Sequence, residues 1–147
     1  MEGDNMTDDA TAAARQNWEA ASAGWERNAD LVIRTTSTLS HWLIEHLDPQ
    51  PGEEFLELAA GPGDTGFAIA RRIAPDGRLI STDLAPGMVA AAKRRAASVG
   101  ITNAEFREMD AQRIDLPDGS VDGVVHRLGP FLLPDPAAPA RGAPGAA

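Results

Sequence analysis

The chain of 147 residues has no cysteine, and its 13 basic side chains are outnumbered by 22 acidic ones. Without cysteine there is neither a disulfide framework nor a thiolate metal site, and no metal is expected. The shortage of positive charge leaves a formal net charge of −9. Such a surface repels both a phosphate backbone and an anionic membrane, so nucleic acid and membrane are not expected partners. The sequence also lacks an apolar run of about 20 residues and anything resembling a signal peptide, which makes a cytoplasmic protein the expectation. What is present is 43% hydrophobic content, enough for one domain with a buried core.

The order of patterns along the chain predicts an α/β fold. Residues 1–9, "MEGDNMTDD", are polar and aperiodic and are expected to fray. Across 10–50 the apolar residues recur at helical spacing, through Trp18, Ala21 and Trp25 and then from Val32 to Leu47, which predicts two helices ended by "DPQPG". From residue 51 to 133 strand-like and helix-like segments alternate. "EFLELA", "RLISTD" (78–83), "AEFREMD" (104–110) and "VDGVVH" (121–126) read as four strands, with Pro86 placed to start a helix and Gly100 to stop it. Strands alternating with helices imply right-handed crossovers and a parallel sheet with helices on both faces. Residues 134–147, "PDPAAPARGAPGAA", offer no core-forming face and are expected to be unstructured.

The functional signal lies in "FLELAAGPGDTGFAIARRI" (55–73), whose glycines can be counted in two registers. From Gly61 they give G-x-G-x-x-G through Gly63 and Gly66, the dinucleotide fingerprint, which would imply an NAD(P)-binding Rossmann protein. From Glu57 they give E-x-A-x-G-x-G. In an open parallel sheet the ligand lies beyond the carboxyl ends of the strands, where Glu57, Asp83 and Asp110 fall. An acid after the second strand suits a ribose in either register. Glu57 separates the two, because an acid at the end of the first strand opposes a pyrophosphate but attracts a cation.

The second register, with "STDLAPGMVAAAKRRA" (81–96) and "MDAQRIDLPDGSVDGVV" (109–125), resembles the ordered motifs of class I S-adenosyl-L-methionine (SAM)-dependent methyltransferases. The resemblance covers about residues 15–133 and is nearest to small-molecule enzymes of the ubiquinone/menaquinone-biosynthesis type. It implies the Rossmann-like SAM-binding fold, here with the first four of the usual seven strands, SAM as cofactor and a small-molecule methyl acceptor. Carried onto this chain, it implies that Glu57, Ala59, Gly61 and Gly63 surround the methionine part of the cofactor, with Ala59 where the family usually has glycine and a negative φ expected there. Asp83 would bond the ribose hydroxyls, Leu84 and Met88 would pack on the adenine, and Asp110 with the Ala111 N–H would read its edge.

Three further expectations concern the surroundings of that site. His126 ends the fourth strand and is a candidate general base, although lining the site is the role expected of it before proton transfer. Trp18 and Trp25 are expected to pack on the domain in preference to forming a lid. The abrupt change to Pro, Ala and Gly after "LLPDPAA" leads to the expectation that the chain is an incomplete or frame-shifted version of a longer enzyme, a cofactor-binding fragment that need not be catalytic.

Overall fold

A computed structural model describes residues 2–143. Two helices, α1 (Glu2–Arg27) and α2 (Ala29–Leu47), precede an alternating series of β1 (Glu54–Glu57), α3 (Thr65–Ile73), β2 (Arg78–Asp83), α4 (Pro86–Ser98), β3 (Ala104–Glu108) and β4 (Gly123–Val125). A 3₁₀ turn over Gly129–Leu132 and a single helical turn, α5 (Ala138–Arg141), follow.

The four strands form one parallel sheet in the order β3-β2-β1-β4. The chain first builds outward from β1 to β2 and β3, then crosses to place β4 on the other side of β1. Strand order therefore reverses between β1 and β4, and the crevice beyond their carboxyl ends is where such a sheet receives a ligand.

Alternation along the strands supplies two cores. Phe55, Leu79 and Val125 face Phe67, Ile69, Ala70 and Ile73 of α3 and Ala92 and Ala96 of α4. Ile69 and Ile73 are completely buried, and full burial of such a side chain stabilises by roughly 1.5–3 kcal/mol. Leu56, Leu58 and Ile80 face Met109, Ala111 and Val121, with Ile114, Leu116 and Leu133 packed on the edge of that cluster. The segment between β3 and β4 thus covers sheet surface without forming a helix of its own. Asp122 has a structural part here: its carboxylate accepts the Glu54 N–H at 2.8 Å and its own N–H donates to the Glu54 carbonyl at 2.7 Å.

Both ends of the chain differ from expectation. α1 begins at Glu2, so the acidic segment expected to fray is helical. Asp8 within this helix pairs with Arg113 at 2.6 Å. At the other end α5 interrupts the segment expected to be unstructured: Pro139 is buried, and Arg141 pairs with Asp135. Residues 144–147 of that segment lie outside the described residues.

Candidate cofactor and acceptor site

The residues singled out at the strand ends converge on one cavity of about 160 Å³. Glu57, Ala59, Gly61, Gly63, Asp83, Leu84, Met88, Asp110 and Ala111 all line it. His126 does not; it follows β4 half-buried, its Nδ1 carries no hydrogen bond, and burial holds its pKa below the usual imidazole value.

The two glycine registers are distinguished by what each glycine makes room for. A Cβ built on Gly66 would lie 2.0 Å from Glu57 Oε2, so glycine there clears the space that the Glu57 carboxylate fills. The Gly66 N–H donates to Glu57 Oε1 at 2.9 Å, and the Ser81 hydroxyl lies 3.4 Å from Oε2. The last glycine of the apparent dinucleotide fingerprint is thus committed to an acid of its own chain. Gly63, at φ +87°, is likewise required, because a Cβ would lie 2.2 Å from the Phe67 ring. Gly61, at φ +58°, has open space where a Cβ would point.

Ala59 reverses the expectation of negative φ. It sits at φ +50°, in the left-handed region, which costs a residue with a Cβ roughly 1–2 kcal/mol. A Cβ on Gly129 would lie 2.8 Å from the Ala59 Cβ, so the methyl group at 59 occupies space that only glycine at 129 leaves open. The hydrogen bonds that fix the turn on either side, Leu58 N–H to the Val125 carbonyl at 3.0 Å and Ala60 N–H to the Thr82 carbonyl at 2.9 Å, hold Ala59 in this conformation.

Glu57 is 5% exposed, and burial is the main cause of a pKa pushed up to about 7. The nearby Asp64 carboxylate raises it further, against the Gly66 N–H, Arg127 and Ser81, which lower it. Asp83 Oδ2 accepts the Gly61 N–H at 2.8 Å and Oδ1 the Ala85 N–H at 3.0 Å. It too has a raised pKa, with burial outweighing those bonds and one from Leu84. Asp110 Oδ1 accepts the Gln112 N–H at 2.9 Å. Each acid therefore fixes a loop while standing in the cavity wall.

The opposite wall holds residues that sequence patterns did not single out. Arg127, two residues past β4, places one terminal nitrogen 2.7 Å from Thr36 Oγ1 and 2.8 Å from Ser40 Oγ, both on α2, and against Asp64 Oδ2 of the glycine loop. Ser40 Oγ also lies 3.1 Å from Thr65 Oγ1. This cluster ties α2 to the loop and to β4. The rule that led to His126 applied equally to its neighbour, whereas the pairing with Asp64 has no signature in spacing. Trp18 and Trp25 also line the cavity, with ring centroids 6.1 Å apart, in place of the packing role expected of them. α1 is held over this region by Glu19, which accepts the Gly87 N–H at 2.6 Å, and by Glu26, bound through both carboxylate oxygens to Arg94.

Among the described residues no cluster of side chains could hold a metal ion, and no helix is long and apolar enough to cross a membrane.

The family model described as a methyltransferase domain matches residues 55–141. Nocamycin O-methyltransferase of Saccharothrix syringae is 35% identical over 100 residues, which cover 67% of this chain and 36% of that protein. Aklanonic acid methyltransferase of Streptomyces sp. (strain C5) is 28% identical over 120 residues, covering 82% of this chain and 53% of that one. The chain thus spans between about a third and about half of the length of these two curated relatives. A SAM-dependent methyltransferase from Aquifex aeolicus has the same fold, with a TM-score of 0.66 at 19% identity, over 74% of this chain and 57% of that one.

Proposed function

The chain belongs to the methyltransferase-domain family, and from that premise we propose that it binds SAM and transfers the methyl group to a small-molecule acceptor. The observation that carries this reading is the fit of Gly66 to the Glu57 carboxyl group, which fills the position between strand and helix with a buried acid that a cationic ligand would draw into its charged form. A pyrophosphate there would meet an acid, whereas a ligand bearing an ammonium and a sulfonium gains from it. The names of the relatives support the same activity and a small-molecule acceptor.

SAM supplies an activated methyl group, so this chain's own residues have mainly to bind, orient and exclude water. The backbone from Ala59 to Gly63 would receive the methionine part, with Gly61 open toward it. Asp83, held by the N–H groups of Gly61 and Ala85, retains lone pairs for the ribose hydroxyls. Leu84 and the buried Met88 would flank the adenine, and Asp110 with the Ala111 N–H would meet its edge. A cysteine-free chain has no disulfides that need an oxidising compartment, and we assign the activity to the cytoplasm.

Calorimetric titration with SAM tests the reading. Asp83→Ala is expected to weaken SAM about ten- to a hundredfold, the value of a hydrogen bond to a charged group. Saturable binding of NADH without binding of SAM would overturn it in favour of the dinucleotide register.

A further inference from the structure

The part of the cavity away from the acids has a different chemistry. Trp18, Trp25, Val32 and Ile33 from the two N-terminal helices face it, with Leu128 and Leu132 from the turn after β4. Leu128 and Leu132 remain 45% and 55% exposed, so this compartment opens toward solvent. Two tryptophans in edge contact present a broad, rigid apolar surface with the geometry that flat rings pack against.

One cation adjoins this apolar wall. The Arg127 side chain is 17% exposed, and one terminal nitrogen carries all of its hydrogen bonds within the described residues. Its Nε and second terminal nitrogen have no protein acceptor among those residues. Arginine presents donors in a planar fork that matches a carboxylate through two parallel bonds. The pairing with Asp64 fixes the guanidinium from one side and leaves the fork available on the other.

The ionisable groups around the cavity bear on which acceptors suit it. The chain contains no tyrosine or cysteine, and the described lining includes no histidine or lysine. Its acids are already engaged: Glu57 with Gly66, Asp83 with Gly61 and Ala85, Asp64 with Arg127, and Asp110 with Gln112. An acceptor that arrives as an anion needs no proton removed. Its oxygen forms the new bond to the methyl carbon as the carbon–sulfur bond breaks, and the electron pair of that bond stays on sulfur.

We propose that the compartment between α1, α2 and the turn after β4 binds an aromatic carboxylate as methyl acceptor, its ring system against Trp18 and Trp25 and its anion on the free fork of Arg127. The proposal rests on the methyltransferase reading above, and it names an acceptor class for that site.

The experiment uses the whole chain and follows quenching of tryptophan fluorescence, since Trp18 and Trp25 line the cavity and Trp42, stacked on His46, does not. The probes are 2-naphthoate and its neutral isostere 2-naphthamide, with S-adenosylhomocysteine binding measured separately by calorimetry. Naphthoate is expected to bind about tenfold or more tighter than naphthamide, the difference a charge-assisted hydrogen bond supplies. It should do so both alone and with S-adenosylhomocysteine saturating, and Arg127→Gln should bring the two probes to within about threefold. Equal affinity of the two probes for the unaltered chain, which needs no variant, overturns the proposal, as does a preference that survives Arg127→Gln. Displacement of naphthoate by S-adenosylhomocysteine also overturns it and assigns the Arg127 fork to the cofactor's own carboxylate. Failure of S-adenosylhomocysteine to bind at all, with the naphthoate preference intact, would sink the cofactor reading and leave the anion site standing.

Discussion

Glu57 and Asp83, on the β1–β2 flank of the cleft, direct their oxygens mainly to backbone N–H groups, with the Ser81 hydroxyl as one further donor, whereas Arg127, on the α2–β4 flank, bonds to Asp64 of the glycine loop and to hydroxyls. The first flank is fixed by shape, because Gly66 and Gly63 leave space that their neighbours occupy to within van der Waals contact. The second is fixed by charge between side chains far apart in sequence. Burial has opposite consequences on the two sides. It leaves Glu57 with insufficient local compensation and a raised pKa, while Arg127 and Asp64 enter partial burial as a matched pair. A cofactor with positive charge suits the first flank and an anionic acceptor suits the second.

The largest expected effect that sharpens this contrast is the pH dependence of the apo protein. Glu57 has a pKa of about 7 in the fold against an ordinary 4.5, so the folded state favours the neutral acid. Its contribution is intact below about 4.5 and is lost as pH rises from there to about 7, a loss on the order of 3 kcal/mol. Thermal melts between pH 4.5 and 8 are expected to show the decline, and Glu57→Gln is expected to flatten it. Arg127 lowers the Glu57 pKa only as one of the smaller contributions, so Arg127→Gln should move the midpoint slightly upward and leave the decline in place. A decline of the same size in Glu57→Gln would assign it to other groups and break the contrast.

Next in size is Gly66→Ala, which brings a methyl group onto the Glu57 carboxylate and should destabilise by about 2–3 kcal/mol, read in urea denaturation. Combining it with Glu57→Ala should cost less than the sum of the two single changes, because the short side chain vacates the space. Strict additivity would show that the two residues do not share it. The smallest effect is a gain. Ala59→Gly relieves the positive φ and is expected to stabilise by about 1 kcal/mol at most, since glycine also frees the unfolded chain. A lower melting temperature for this variant would mean that the contact of the Ala59 methyl with Gly129 outweighs the backbone relief.

Local pattern sufficed for the order of the elements. Pro86 and Gly100 bracket α4, the short run "RLISTD" after the "PDG" turn gives β2, and the apolar face of "FAIARRI" gives α3, because each signal acts within a few residues of the structure it sets. The strand-end rule brought Glu57, Asp83 and Asp110 to one edge, since strand direction in a parallel sheet follows from the crossovers alone.

Other features depended on contacts between distant segments. The acidic terminus became helical in a structure where Asp8 reaches Arg113, and Trp18 and Trp25 became cavity walls where α1 lies across α4. Nothing in the spacing of Arg127 and Asp64 announces their pairing, which exists because β4 returns to the side of β1 facing α2. The conformation of Ala59 departs from expectation for the same reason: its φ is set by hydrogen bonds to β4 and β2 on either side, which override the local preference of a residue with a Cβ. By itself the sequence determined which segments become strands and helices and which acids end the strands, because those depend on neighbours along the chain. Only the tertiary structure decided which side chains share a cavity, what each glycine makes room for and where charge goes uncompensated, because burial and pairing are properties of segments that meet across the sheet.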